Sequence, residues 1–461
     1  MPAWSAAFPF PFDAGLAWTL LQVVAGVYVV GCAVNARLSI AYALLWAPAA
    51  IFLPVPTAAL LLLFGGRKHG ALAAAKRRIK ATAVRLSGRP SLGGNSFRLL
   101  GDRDGRATLA TLQAEIRAAR TRISISTYIL SPDAVGRGLV ALLAERARAG
   151  VEVRLLVDAV GSWGTPLRLC RQLRAAGGQV ARFNPVLPMQ GKGSANWRNH
   201  RKLAVFDGAI AVIGGQNLGL RYMGDAPSPR RFRDCSFRLE GPAAAALEQV
   251  FVADWCQATD TDPAELRDIL RQAPPAVGEV DVAVIASGPD CEDDPLWEKL
   301  LELIAGARTE LTLVTPYFVP DLGLFRGLLA AAARGCRVRL ILPRRSDHRL
   351  VDFARRWYLR QLKEAGAEIL FYRSGMLHAK LVVADGSRLV IGSANLDMRS
   401  LFLNYEIAAV VRDPAALRSV EDLIADLAAE STPFSEDLYR RSLTWTGRAV
   451  EAVSKALAPL L

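Results

Sequence analysis

Over the first stretch of the chain, apolar positions are nearly continuous rather than periodic. Residues 14–34 carry no charge. At about 1.5 Å per residue, a helix of that length reaches roughly 30 Å, the thickness of bilayer hydrocarbon. A second apolar run, 38–64, follows after only Asn35, Ala36 and Arg37. The pair predicts a transmembrane helical hairpin over 1–65. Pro48, Pro54 and Pro56 leave the path of the second span open, because proline interrupts helical hydrogen bonding. The alternative is a signal peptide followed by a buried helix. It calls for a basic stretch ahead of the apolar core, and the first 13 residues contain no Lys or Arg.

From about Phe97 the pattern changes to short apolar runs separated by amphipathic stretches. Residues 123–129 read as a strand, 134–149 as a helix stopped by Gly150, and 151–158 as the next strand. The order recurs with 311–318, a helix to about Arg334 stopped by Gly335, and 336–343. Strand, helix and strand in that order predict a parallel pair with a right-handed crossover. The boundaries are a basic membrane-proximal linker at 66–96, a first α/β half at 97–258 and a second at 281–430. Residues 259–280, polar and then Pro-rich, read as the connection. Residues 431–461 read as a C-terminal helical segment, packed on the domain or lying on a membrane surface.

Charge and cysteine usage narrow the partners. The 461-residue chain is long enough for more than one domain. Its net charge of +14 and pI near 9.8 favour anionic partners. No acidic residue occurs between Asp13 and Asp102, where Arg67, Lys68, Lys76, Arg77, Arg78, Lys80, Arg85 and Arg89 form a basic tract. By the positive-inside rule that tract places everything after the hairpin in the cytoplasm, with the tract against anionic headgroups. Cys32, Cys170, Cys235, Cys256, Cys291 and Cys336 show no C-x-x-C spacing. They read as free thiols in a reducing compartment, and structural zinc is not expected.

The chemistry lies in an internal repeat. N-H-R-K-L-A-V-F-D-G at 199–208 recurs as L-H-A-K-L-V-V-A-D-G at 377–386, each with the form H-x-K-x-x-x-x-D-G. The downstream turns G-G-Q-N and G-S-A-N place Asn395 after Asn217 by 178 residues, the interval that separates His378 from His200. A fixed interval marks repeated structure and predicts one site assembled from two halves. Within each copy the His and Lys are two apart, on one face of a predicted strand. Leu203, Val205, Leu381 and Val383 would face the core. Asp207 and Asp385 complete the motif, and the Asp-Gly dipeptide assigns them mainly to hairpin turns.

A phosphodiester is anionic and resists attack. Cleaving it needs cations on the non-bridging oxygens, a nucleophile, and an acid for the leaving oxygen. Lys202, Lys380, Asn217 and Asn395 supply the first as phosphate-binding groups, and the His200 and His378 imidazoles supply the others. A lone strand histidine is more often structural; two H-x-K pairs with matching turns reverse that weighting.

These residues resemble the twin H-K-D motifs of the phospholipase D superfamily, with His200, Lys202, Asp207, His378, Lys380 and Asp385 as the catalytic set. More narrowly, the chain resembles the bacterial cardiolipin synthase family. The resemblance runs through the N-terminal hairpin, G-G-Q-N-L-G, F-R-D-C-S-F-R-L-E-G-P, D-W at 254–255, T-P-Y-F-V-P, R-S-D-H-R-L-V-D, G-S-A-N-L-D-M-R-S and L-N-Y-E. It implies an α/β fold of two phospholipase D-like repeats, each a mixed sheet flanked by helices, packed as a pseudo-twofold pair. It implies transphosphatidylation between two phosphatidylglycerols, with His200 as nucleophile and His378 as acid, then base. Asp234 and Glu406 would orient the histidines. No metal or cofactor is implied. The expected partners are phosphatidylglycerol, other anionic phospholipids and the bacterial inner membrane. A nuclease of the superfamily suits the basic charge, but not a double-spanning anchor. A hydrolase, a transferase using another alcohol or phosphatidylethanolamine, and a non-catalytic membrane scaffold are the competing readings. Oligomeric state is left open.

Overall fold

A computed structural model of the chain describes residues 14–35, 51–58, 77, 93–165, 167–185, 196–271 and 274–435. The chain divides into two compact units, Met1–Arg67 and Lys68–Leu461.

In the first unit, a 22-residue helix runs from Ala14 to Asn35. Ala25 and Val29 pack against Ala58, with Val55 alongside. Trp18, Leu20, Leu21, Val23, Val24 and Val27 are exposed. The second apolar run breaks at Leu53, and helix resumes at 54–58 behind Pro54, as the missing proline N–H requires. Among the described residues no helix is long and apolar enough to cross a membrane. Most of the second apolar run, 38–50 and 59–64, lies outside the described residues, so the expected hairpin is described only in its first helix and at 51–58. The basic tract falls outside the described residues except for Arg77, which pairs with Glu292.

The second unit holds two mixed sheets. The first contains β1 (Ser96–Leu100), β2 (Arg122–Thr127), β3 (Glu152–Asp158), β4 (Gln179–Phe183), β5 (Leu203–Phe206), β6 (Ile210–Gly214) and β7 (Ser236–Glu240). Its order is β1-β7-β6-β5-β2-β3-β4. The second sheet contains β8 (Asp281–Ser287), β9 (Glu310–Val314), β11 (Arg337–Pro343), β12 (Glu368–Tyr372), β13 (Leu381–Ala384), β14 (Arg388–Gly392), β16 (Glu406–Arg412) and β17 (Ser431–Pro433). Its order is β17-β12-β11-β9-β13-β14-β16-β8. Read from opposite ends, the two orders match strand for strand, with β17 added. A short parallel pair, β10 (Phe318–Val319) and β15 (Leu396–Asp397), accompanies the second sheet; the first has a single parallel bridge, Leu130 to Leu218. The parallel pairs β2–β3 and β9–β11 follow from the strand–helix–strand pattern.

The predicted connection at 259–280 is folded in its first half. A 3-10 turn, Pro263–Leu266, and a short helix, Arg267–Leu270, follow the helix Pro242–Thr259. Leu266, Ile269 and Leu270 are buried at helical spacing, which makes this a packed element rather than a loose linker. The predicted C-terminal helical segment also begins differently. Residues 431–433 pair antiparallel with β12 and cover its edge, and Phe434 is buried in the second core. The rest of that segment, 436–461, lies outside the described residues.

Three apolar cores explain the burial of β5 and β13 on both faces. Leu203, Val205, Leu381 and Val383 meet in one core shared by both halves, as the sequence predicts for those positions. The alternate residues face outer cores: Ala204 and Phe206 in the first half, Val382 and Ala384 in the second.

Candidate active site

The H-x-K segments are extended but are not the strands predicted. β5 starts at Leu203 and β13 at Leu381, each just after its lysine. The reason lies in where the backbone bonds go. His200 N–H donates to Tyr405 O at 2.9 Å, and His378 N–H donates to Arg233 O at 2.7 Å. Parallel bridges Asn199–Tyr405 and Arg233–Leu377 flank these bonds. Each motif thus leaves its own sheet just ahead of its strand and is gripped by the other half.

The side chains cross in the same way. His200 Nδ1 lies 3.0 and 3.2 Å from the Glu406 oxygens, and His378 Nδ1 lies 2.6 Å from Asp234 Oδ2. Both carboxylates are fully or almost fully buried. Glu406 opens β16, whereas Asp234 sits two residues ahead of β7 instead of on a strand. Ser393 Oγ also donates to Glu406, and Cys235 N–H donates to Asp234 at 2.8 Å.

Electrostatics keep the imidazoles neutral and the carboxylates charged. Burial pushes the His200 pKa down against the opposing pull of Glu406. Burial and Lys380 take His378 to about 4 despite Asp234. Burial alone would raise both carboxyls, but Lys380 and His378 hold Asp234 below its usual range, and His200 and Lys202 do so for Glu406. A neutral imidazole that donates from Nδ1 presents a bare Nε2, the form a nucleophile or base requires.

Burial also lowers both lysines, taking Lys202 to about 7. Lys202 Nζ donates to His200 O at 2.7 Å, and Lys380 Nζ donates to His378 O. Lys380 Nζ also approaches His378 Nδ1 to 2.8 Å. That nitrogen cannot give its proton to Asp234 and accept another, so this contact opposes an imidazolium rather than adding a bond.

The walls differ between the halves. Tyr128 meets His200 edge-on at 5.0 Å between ring centroids, with Lys202 Nζ 5.4 Å from the Tyr128 ring. Tyr222, Phe232 and Tyr317 surround His378 at 5.4, 5.6 and 6.4 Å. Asn217 Oδ1 accepts from Ile129 N–H at 3.1 Å. Buried Asn395 bonds the Asp397 carboxyl, while its Oδ1 has no partner among the described residues. An orphan buried oxygen beside the site suits a ligand or water donor.

The motif aspartates are not brought to the histidines. Asp207 accepts from the backbone N–H of Arg120, Thr121 and Arg122 and from Thr121 Oγ1. Asp385 does the same with Arg308, Thr309, Glu310 and Thr309 Oγ1. Both have left-handed backbone, φ 50° and 51°, followed by Gly208 and Gly386 at φ 69° and 56°. Two successive positive φ values are what a tight primed hairpin turn needs. The four-residue strand between each lysine and its aspartate sets those two residues roughly 17 Å apart.

Sequence reasoning overlooked Arg201, a guanidinium only 1 % exposed. It donates to Asp254 Oδ1, Glu406 O at 3.1 Å and Ser287 O at 3.1 Å. A charged residue between two motif residues, followed by apolar strand, was the available signal.

Duplicated sheets of like order, joined through crossed histidine–carboxylate pairs, define a two-repeat phospholipase D-type protein. The family model described as cardiolipin synthase, PLD-like domain, matches residues 112–255 and 300–428. Cardiolipin synthase A of Pseudomonas aeruginosa is 36% identical over 378 residues, covering 82% of this chain and 76% of the relative. A cardiolipin synthase of Geobacillus kaustophilus is 36% identical over 363 residues, covering 78% and 71%. The chain belongs to the cardiolipin synthase family of PLD-like proteins. A solved phosphatidylserine synthase from Haemophilus influenzae shares the fold, with a TM-score of 0.60 at 16% identity over 83% of this chain and 98% of that one.

Proposed function

We propose that this chain is a cardiolipin synthase, a phosphatidyltransferase that joins two phosphatidylglycerols and releases glycerol. The observation that carries the reading is the pair of crossed His–carboxylate couples, each with its own lysine, in a member of this family. His200 Nε2 attacks phosphorus, and the bond to the glycerol oxygen breaks. His378 protonates that oxygen. Burial and the lysines hold the free His378 imidazole neutral, but a bound phosphodiester offsets the lysines' field, so His378 takes up from solvent the proton it then donates. In the second step neutral His378 removes the proton from a glycerol hydroxyl of another phosphatidylglycerol. That oxygen displaces His200 from phosphorus. Lys202, Lys380, Asn217 and Asn395 bind the phosphate oxygens, while Asp234 and Glu406 fix the tautomers. Asp207 and Asp385 serve the turns.

Residues 1–65 anchor the enzyme as an apolar hairpin in the bacterial inner membrane. The exposed face of helix Ala14–Asn35, its packing on Ala58, and exposed Ile51, Phe52 and Leu53 support this; contiguous exposed apolar surface calls for a cover. Residues 66–96 lie on anionic headgroups, and the halves 97–258 and 281–430, joined through 259–280, face the cytoplasm. Trp163 and Leu220 in turns, and Leu322 and Leu350 in the first turns of the helices Leu322–Ala333 and Arg349–Glu364, are exposed, which suits a lipid substrate. The test is incubation of the purified protein with phosphatidylglycerol alone, followed by lipid and glycerol analysis. Cardiolipin and glycerol in equal amounts are expected; phosphatidic acid in place of cardiolipin would make it a hydrolase.

A further inference from the structure

The two histidines have different neighbours. Asp158 and Glu406 as well as Arg198 and Arg399 act on Tyr128, the ring against His200. On the His378 side, an exposed carboxylate stands next to the ring wall. Tyr317 OH donates to Asp347 Oδ1 at 2.6 Å, and the Tyr317 ring lies 6.4 Å from His378. Asp347 is exposed, so its carboxylate is open to a ligand as well as to Tyr317. Its field reaches both Lys380 and Tyr222. The loop that carries it is fixed in place. Ser346 N–H donates to Asp352 Oδ2 at 2.9 Å, and His348 N–H donates to Ser346 Oγ at 3.1 Å. The His348 ring rests edge-on against Tyr317 at 5.2 Å.

A carboxylate beside a phosphodiester site works against the ligand's charge unless it meets a donor on the ligand. A glycerol headgroup offers hydroxyl donors, and the step assigned to His378 acts on a glycerol oxygen. We propose that Asp347, steadied by Tyr317, binds the free hydroxyl of the glycerol headgroup and selects a polyol acceptor over a monohydric alcohol. The inference rests on the transferase reading above. The leaving glycerol and the incoming headgroup occupy the same subsite, since the second step retraces the first.

The phosphatidyl-histidine is one intermediate shared by all acceptors, so partition from it isolates acceptor choice. The full-length enzyme, supplied with phosphatidylglycerol and ethanol together, yields cardiolipin and phosphatidylethanol. Asp347→Asn is expected to lower the cardiolipin-to-phosphatidylethanol ratio roughly tenfold, the scale of one hydrogen bond to a charged group, through a raised KM for the lipid acceptor. Phosphatidylethanol formation should persist, which also reports that the variant is folded. Tyr317→Phe retains the ring and the carboxylate and should keep most of the preference. An unchanged ratio, or a parallel fall in both products, overturns the proposal. So does a ratio in Tyr317→Phe as low as in Asp347→Asn, which would move the role to the tyrosine. If the unaltered enzyme makes no cardiolipin, the transferase reading fails and this inference falls with it; an unchanged ratio in a working synthase removes the inference alone.

Discussion

Asp385→Asn separates a structural role from a chemical one. Burial alone would raise this carboxyl, but bonds from the Thr309, Glu310 and Arg308 amides and the Thr309 hydroxyl outweigh it and hold the pKa at about 2. From an ordinary value near 3.9 that is roughly 2.5 kcal/mol of folding free energy, at about 1.36 kcal/mol per unit. The side chain is 18% exposed, so solvent screening trims the figure to about 2 kcal/mol. Asparagine tolerates the left-handed backbone at φ 51°, so the turn survives and the charge is what is lost. The folded pKa is depressed, so the stabilisation is fully present above the unfolded value and disappears as pH falls through the folded one. In detergent at pH 7 the variant should melt roughly 2–3 °C below the unaltered protein. That gap should close as pH falls from about 5 towards 2, because the unaltered carboxylate becomes protonated. Turnover at 25 °C should stay within about twofold. A variant that melts normally yet is dead would show that the aspartate takes part in the chemistry and that the turn assignment is wrong.

Four further outcomes are expected. His200→Ala and His378→Ala should each abolish synthesis with the fold intact, since acid–base help alone is worth about a hundred- to ten-thousand-fold; intact-mass analysis should find a lipid adduct on His200 in His378→Ala and none in His200→Ala, and an adduct on His378 would exchange the roles. Glu406→Gln should slow adduct formation on His200, whereas Asp234→Asn should shift the pH profile of the step that uses His378, both with little change in melting temperature; the reverse assignment would contradict the crossed pairing. Burial holds Lys202 near 7, so its ammonium is lost as pH rises through that value; inorganic phosphate binding should weaken across the same range, and a Lys202→Met protein with the same pH dependence would refute this. Deleting residues 1–65 should leave a protein that binds phosphatidylglycerol vesicles at low salt and releases them at high salt, as screened contacts of about 1 kcal/mol per cation predict; a folded but inactive product in micelles would mean the N-terminal segment helps to form the site.

Local pattern and repetition were readable from the chain; long-range exchange was not. Period and stop signals located the parallel pairs, since Gly150 and Gly335 have φ values of 89° and 87° that favour glycine. The Asp-Gly dipeptides identified the hairpins β5–β6 and β13–β14. The start of β5 was misjudged because alternation continues back through Lys202 and His200, while the backbone there bonds Tyr405 in the other half. No local pattern encodes a partner 205 residues away in the chain. The same reason hid Arg201, whose neighbours Asp254, Ser287 and Glu406 come from three separate elements. The 259–280 connection was read by its polar and proline content, which outweighed the buried spacing of Leu266, Ile269 and Leu270.

The crossed pairing explains why the repeat is a working pair rather than two sites. His200 belongs to the first half, but its carboxylate and its backbone acceptor come from the second; His378 has the converse arrangement. Neither half alone holds a histidine with both its tautomer and its position fixed. A single half would expose Leu203, Val205 or their counterparts in the shared core, and would leave Glu406 or Asp234 without the imidazole that offsets its burial. The shared core and the crossed hydrogen bonds use the same interface, so assembly of the halves and preparation of the histidines are one event. It also breaks the symmetry that duplication provides. The ring walls do not follow the duplication: Tyr128 alone meets the His200 ring, whereas Tyr222 and Phe232 of the first half and Tyr317 of the second surround His378.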